Sequence, residues 1–308
     1  MNHIFQDSLQ EKLFQGTLLV NEPMHKHTSF SIGGPADYFV SVANADELSD
    51  VCGLCRSYGV PFYIVGNGSN LLVSDQGVRG VVIHLGRLFS DVERQGDILT
   101  VQAGAPMSKV ARTALEASLS GFEFAAGIPG SFGGAVAMNA GAYGGEMKDI
   151  LLDAEVLTPG GDRLTLTAEE MDLSYRHSIV FEKDYIVLSA RIKLIPGEAD
   201  RIRARMEELS QARRDKQPLE YPSAGSTFKR PTGYFAGKLI QDAGLKGYTV
   251  GGARVSEKHS GFVINQGGAT AEEVCFLIRQ VQKKVRDRFG VDLETEVRFL
   301  GFDQEVEL

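Results

Sequence analysis

The chain has 308 residues, 43% of them hydrophobic and 23% charged, which allows two or three domains and excludes wholesale disorder. With 32 basic and 40 acidic residues its formal charge is −8, a poor match for sequence-independent binding to nucleic acid or an anionic membrane, because both need a cationic surface. Glycine is the outlier: 35 residues, about 11% against roughly 7% in average proteins, and clustered.

The first twenty residues show no basic start followed by an apolar run, so no signal peptide is expected. Three cysteines in so long a chain suit a reducing compartment, and the cytoplasm is the expected location. Residues 37–84 read as strand, helix, strand, loop, strand. Leu48, Val51, Cys52 and Cys55 recur at helical spacing, and Gly59 and Pro61 end that helix. Cys52 and Cys55 form a CxxC in mid-helix on the apolar face. With Cys275 as the only other cysteine they read as buried core thiols, and no metal is expected. Residues 98–104 are strand-like, and 109–119 form a short helix with Val110, Ala114 and Leu115 inward, stopped by Gly121. Residues 124–145 are uncharged, but seven glycines, Pro129 and Asn139 interrupt their apolar runs. They read as a glycine-rich loop plus a buried strand rather than a membrane span. Strands are expected at 151–157, 162–167 and 185–194. Pro196-Gly197 marks a boundary. The helix at 200–216 carries Arg201, Arg203, Arg205, Arg213, Arg214 and Lys216, a solvated face of alternating charges. A last helix opens on a Thr270/Glu273 capping box, runs its apolar stripe from Val274 to Phe289 and stops at Gly290, and residues 297–301 are a final strand. Two small α/β units followed by an α+β domain result.

Several familiar motifs fail on inspection. Gly66-Asn67-Gly68-Ser69-Asn70 begins like a dinucleotide fingerprint but has Leu71 where the third glycine belongs. Gly233 to Lys238 is one residue short of a Walker loop and lacks the following Ser or Thr. There is no GxSxG and no HExxH. What remains is two glycine loops, at 66–70 and 127–145. Without side chains in the way, successive backbone N–H groups in such turns form an anion-binding concavity, and a diphosphate needs several of them.

Six ordered segments then carry a resemblance: YIVGNGSNLL, AGIPGSFGGAVAMNAGAYGGE, LSYRHS, AGSTFKRP, GYFAGKLIQDAGLKGY and LETEVRFLG. Together they closely resemble the UDP-N-acetylenolpyruvoylglucosamine reductase (UDP-N-acetylmuramate dehydrogenase) family, from about Thr28 to the C-terminal strand. The resemblance implies an α+β protein: a two-subdomain FAD-binding fold of vanillyl-alcohol-oxidase type (residues 1–90 and 91–200) with a C-terminal α+β substrate domain (201–308), whose last strand returns to the FAD domain. It implies a non-covalent FAD reduced by NADPH, a UDP-sugar substrate, and a place in peptidoglycan synthesis. No nucleic acid, membrane insertion or obligate protein partner is expected. The cofactor would be held by Gly66, Asn67, Gly68, Ser69, Asn70 and Leu71 of the first loop. From the second it would meet Gly127, Pro129, Gly130, Ser131, Gly133, Gly134, Asn139, Gly141 and Ala142.

Hydride arriving at the outer carbon of the enolpyruvyl double bond leaves charge beside the carboxylate, an enolate that must be stabilised and then protonated. The resemblance assigns Arg176 to bind that group, Glu296 to polarise the carboxylate and Ser226 to give the proton. It makes Lys229, Arg230, Lys246 and Asn265 substrate contacts. Arg176 and Ser226 are 50 residues apart in the sequence, and in this the chain resembles the family's shorter class, which lacks a tyrosine-bearing insertion. Without the resemblance these residues read as a surface salt bridge, a strand carboxylate and a turn serine. Two other functions compete: an FAD-dependent sugar or alcohol oxidase of the same superfamily, and a flavin- or nucleotide-sugar-binding protein without turnover.

Overall fold

Asn44 starts the helix Ala45–Tyr58: its side-chain oxygen accepts from the amides of Asp46 (3.0 Å) and Glu47 (2.9 Å), and Gly59 ends the helix in the left-handed conformation. Glu47 in the first turn is 3% exposed, yet its carboxylate is satisfied by the amides of Phe14, Gln15 and Ala43 at 2.8–3.0 Å. The computed structural model describes residues 3–302. It divides into two units. The first holds the residues up to Val20, Tyr38–Asn67 and Gly80–Arg213; the second holds Asn21–Asp37, Gly68–Arg79 and the residues from Arg214 on.

In the first unit, the apolar face of Ala45–Tyr58 (Leu48, Val51, Cys52, Cys55) joins Val40, Val81 and Ile83 in one core. Phe62–Val65 pairs in parallel with Val78–His84. A five-stranded antiparallel sheet follows, in the order Arg163–Thr167, Leu151–Leu157, Ile186–Lys193, Ile98–Gln102, Val92–Gln95. Met107–Glu116 is the short helix expected near residue 109, but Ser118 at φ 54° turns the chain before Gly121 is reached. The uncharged stretch differs from its reading. Its buried part is a helix, Phe132–Ala137, not a strand. The amides of Phe132 and Gly133 reach the carbonyls of Ala105 (2.8 Å) and Ala103 (2.7 Å), so small side chains let the helix end press onto neighbouring backbone. Packing overrides the low helix propensity of its glycines.

In the second unit, an antiparallel sheet runs in the order Ser223–Ser226, Phe262–Asn265, Ala253–Val255, Thr249–Val250. The helix Ala271–Phe289 carries both halves of its capping box, and the Asp75 carboxylate adds two more acceptors, for the amides of Ala271 (2.9 Å) and Glu272 (3.1 Å). Arg298–Leu300 pairs in parallel with Leu71–Val73. Among the described residues no helix is long and apolar enough to cross a membrane.

Cys52, Cys55 and Cys275 are all free and buried. Burial pushes the first two thiols up to about 12 and Cys275 up to about 11, so none offers a thiolate at neutral pH. Brief alkylation of the native protein at pH 8 is therefore expected to label no thiol, and alkylation after unfolding to label all three. Whole-protein mass checks the count.

Candidate active site

A β-bulge presents Ser226. Ser223 faces Ile264 and Ser226 faces Phe262, so two residues, Ala224 and Gly225, stand opposite one, and Gly225 adopts φ 77°. The next residue, Thr227, is 5% exposed and fully engaged. Its amide donates to the Gly261 carbonyl (2.8 Å), its hydroxyl accepts from the Val263 amide (3.0 Å), and its carbonyl accepts from the Glu296 amide (2.8 Å). Ser226 is half-buried, and its hydroxyl makes no hydrogen bond among the described residues. Of two adjacent hydroxyls, one is structural and one is available.

Glu296 lies beside this rib. Its amide is held by Thr227 and its carbonyl accepts from Asn70 Nδ2 at 3.0 Å. The neighbouring carboxylates are sorted by exposure: Glu294 points out to Lys229 (3.1 Å), while Glu296 is half-buried. Ser226 and Glu296, 70 residues apart in the chain, are thus brought together in the second unit. The Asn70 side chain, expected on the cofactor, spends its amide nitrogen on Glu296. The backbone carbonyl of Asn70 accepts from the Arg298 amide (3.0 Å), which leads Leu71 into its strand.

The loop at 66–70 leaves its backbone donors unused: among the described residues, none of its five successive amides donates to a protein acceptor. A Cβ on Gly66 would collide with Ser131 Oγ, so the first loop touches the second at that point. Gly68 sits at φ 59°, and a Cβ there would strike the His27 carbonyl. Gly68→Ala is therefore expected to cost about 1–3 kcal/mol of stability and to weaken flavin retention. Thermal unfolding and the flavin-to-protein absorbance ratio check both. In the second loop the amides of Gly127, Gly130, Ser131 and Gly134 also lack protein acceptors among the described residues. Pro129 is exposed, Gly133 is buried against Ala103, and Gly141 and Ala142 pair with Glu146 and Gly145.

Asn139 is 1% exposed and its side chain is saturated within the protein. Nδ2 donates to Glu146 Oε2 (2.8 Å) and to the Ser174 carbonyl (3.0 Å), and Oδ1 accepts from the Lys148 amide (2.9 Å). Any contact it makes with a cofactor is left to its backbone. Through Ser174 it holds the turn that carries Arg176. Ser174 and His177 exchange two backbone hydrogen bonds (3.2 Å each), leaving Tyr175 and Arg176 at the tip, with Arg176 at φ 56°. Ser178 anchors the far side on the Ala137 carbonyl. His177 Nε2 lies 3.3 Å from Asp172 and 3.4 Å from Glu182, a structural setting that ties down the turn. Arg176 belongs to the first unit, Ser226 and Glu296 to the second.

The expected substrate residues have varied settings. The Arg230 guanidinium stacks 3.9 Å from the centroid of the exposed Phe235 ring, Lys229 is paired as above, and Lys246 is exposed. Asn265 is 6% exposed and caps a turn. Its Oδ1 accepts from the amides of Gly267 and Ala269, and its Nδ2 donates to the Phe30 carbonyl. Burial holds the His259 imidazole below its ordinary range, and its Nδ1 accepts from the Gly261 amide, so the ring braces the turn that leads into Phe262–Asn265.

Residues 36–167 match the family model for an FAD binding domain. With amide-lined loops inside that span, the chain is an α+β flavoprotein with an FAD-binding domain, as the sequence led us to expect. Residues 217–300 match the model described as UDP-N-acetylenolpyruvoylglucosamine reductase, C-terminal domain. The reductase of that name from Agathobacter rectalis is 56% identical, with 98% of this chain and 99% of the relative covered. The one from Caldanaerobacter subterraneus subsp. tengcongensis is 54% identical over the same shares. The crystal structure of the Thermus caldophilus reductase matches with a TM-score of 0.79 at 36% identity, covering 93% of this chain and 99% of that one. The chain belongs to the UDP-N-acetylenolpyruvoylglucosamine reductase family, FAD-containing oxidoreductases of peptidoglycan synthesis.

Proposed function

We propose that this protein reduces the enolpyruvyl group of UDP-N-acetylglucosamine enolpyruvate to UDP-N-acetylmuramate, with NADPH as the reductant. When bound, FAD supplies the hydride, taken from NADPH and delivered to the outer carbon of the double bond. The chain's own residues manage the charge that follows. Arg176, at the tip of its two-residue turn, offers a planar fork to the substrate carboxylate. Glu296 hydrogen-bonds the same carboxylate, which requires it to hold or share a proton. Ser226 Oγ gives its proton to the carbon beside the carboxylate, a step open to so weak an acid because that carbon is strongly basic and the donor is close.

One observation supports this reading most: a serine hydroxyl without a partner among the described residues, set by a bulge on the rib that also holds the Glu296 backbone. Residues 1–90 and 91–200 take FAD in this proposal. Residues 201–308 take the UDP-sugar through Lys229, Arg230, Lys246 and Asn265. Three free thiols favour the cytoplasm. The test is a pair of half-reactions without air. NADPH should bleach the yellow protein, and the enolpyruvyl UDP-sugar should restore its colour. Rapid recolouring by oxygen, with none by the sugar, would instead indicate an oxidase. Colour that never bleaches would indicate a binding protein.

A further inference from the structure

Arg213 departs from the solvated face its helix was expected to present. In Ala199–Lys216 the other named arginines are exposed, but Arg213 is half-buried. Its side chain lies over the second glycine loop, where a Cβ on Gly127 would stand 3.4 Å from both Cδ and Nη1. The Tyr143 phenol, from the same loop, is its electrostatic neighbour. No carboxylate or carbonyl among the described residues pairs with this guanidinium. Burial without a counter-charge works against the charged form, and a half-buried arginine without an acceptor is costly unless a ligand supplies one. The Gly127 amide beside it also lacks a protein acceptor. Arg213 falls between the two matched spans, 36–167 and 217–300, so neither family model includes it.

We propose that Arg213, together with the Gly127 amide, binds a diphosphate at the second glycine loop. Two sources share that chemistry, the diphosphate of FAD and that of the UDP-sugar. The FAD diphosphate is favoured, because Gly127 and Tyr143 lie within the FAD-binding span. The inference rests on the flavoprotein reading above.

Full-length protein freed of flavin is titrated with FAD, following the quenching of flavin fluorescence. The reloaded protein is then titrated with UDP, following flavin absorbance. Arg213→Gln is expected to weaken FAD binding at least about tenfold, the scale of one lost charge-assisted hydrogen bond. Arg213→Lys should recover part of the loss, and Arg203→Gln, an exposed change on the same helix, should leave it unchanged. If FAD binding holds and UDP binding falls by a similar factor, the diphosphate is the nucleotide sugar's and the site stands. Unchanged affinity for both ligands overturns the proposal. So does a loss shared equally by Arg213→Lys and matched by an earlier unfolding of the flavin-free protein. Wild-type protein that takes no FAD is a different failure, and it removes the flavoprotein reading itself.

Discussion

Ser226→Ala is expected to leave bleaching by NADPH within about twofold of the unmodified protein and to slow recolouring by the enolpyruvyl UDP-sugar ~10²–10⁴-fold, the range for a lost general acid. The asymmetry follows from the hydrogen bonds. Ser226 holds up nothing: its hydroxyl is unengaged among the described residues, so its removal leaves no buried group unsatisfied. Thr227 is the opposite case. Thr227→Val strands the Val263 amide and should cost about 1–3 kcal/mol of stability, with both half-reactions keeping their ratio. Stopped-flow absorbance of the two half-reactions, beside thermal unfolding, separates the variants. Equal slowing of both half-reactions by Ser226→Ala would remove the serine from the proton-donor role.

Local chemistry made much of this molecule legible in the sequence. Gly59 ends one helix, and Thr270, Glu273 and Gly290 bracket another, because caps act within a few residues of the backbone groups they satisfy. Segment order made the family legible. Contacts between distant residues were hidden. Nothing in Asn70 announces that its side chain will hold the carbonyl of Glu296, 226 positions away. Nor does composition distinguish Arg213 from Arg214, since only the fold lays one of them over Gly127. The helix Phe132–Ala137 reads as strand in the sequence for the same reason: its glycines and alanines permit close backbone approach to Ala103 and Ala105, a tertiary demand that periodicity does not report. Asn139, expected against the cofactor, looked available because asparagine in a glycine loop offers both donor and acceptor. The fold uses both internally.

That use makes Asn139 the position where substitution is expected to cost the most stability. Asn139→Ala strands the Lys148 amide, takes one of two donors from the Ser174 carbonyl and one from Glu146, opens a void where Asn139 is 1% exposed, and places alanine at φ 43°, where asparagine is better tolerated. About 2–5 kcal/mol is expected, read as a lowered unfolding midpoint in urea. Asn139→Asp sharpens the argument. It keeps the acceptor for Lys148 but sets a carboxylate against Glu146 and the Ser174 carbonyl, so it should destabilise more than alanine at pH 8. Burial and the like charge raise the introduced carboxyl's pKa in the fold above its unfolded value. The protonated acid, which can donate to Ser174, is therefore favoured by folding. The stability it contributes is present at low pH and is lost as pH rises through the folded pKa. Relative to Asn139→Ala, the aspartate variant should gain stability as pH falls from 8 towards 5. Because Ser174 anchors the turn that carries Arg176, both variants should also raise KM for the UDP-sugar while FAD stays bound. An aspartate variant whose deficit is flat across that pH range would show that these hydrogen bonds do not hold the turn.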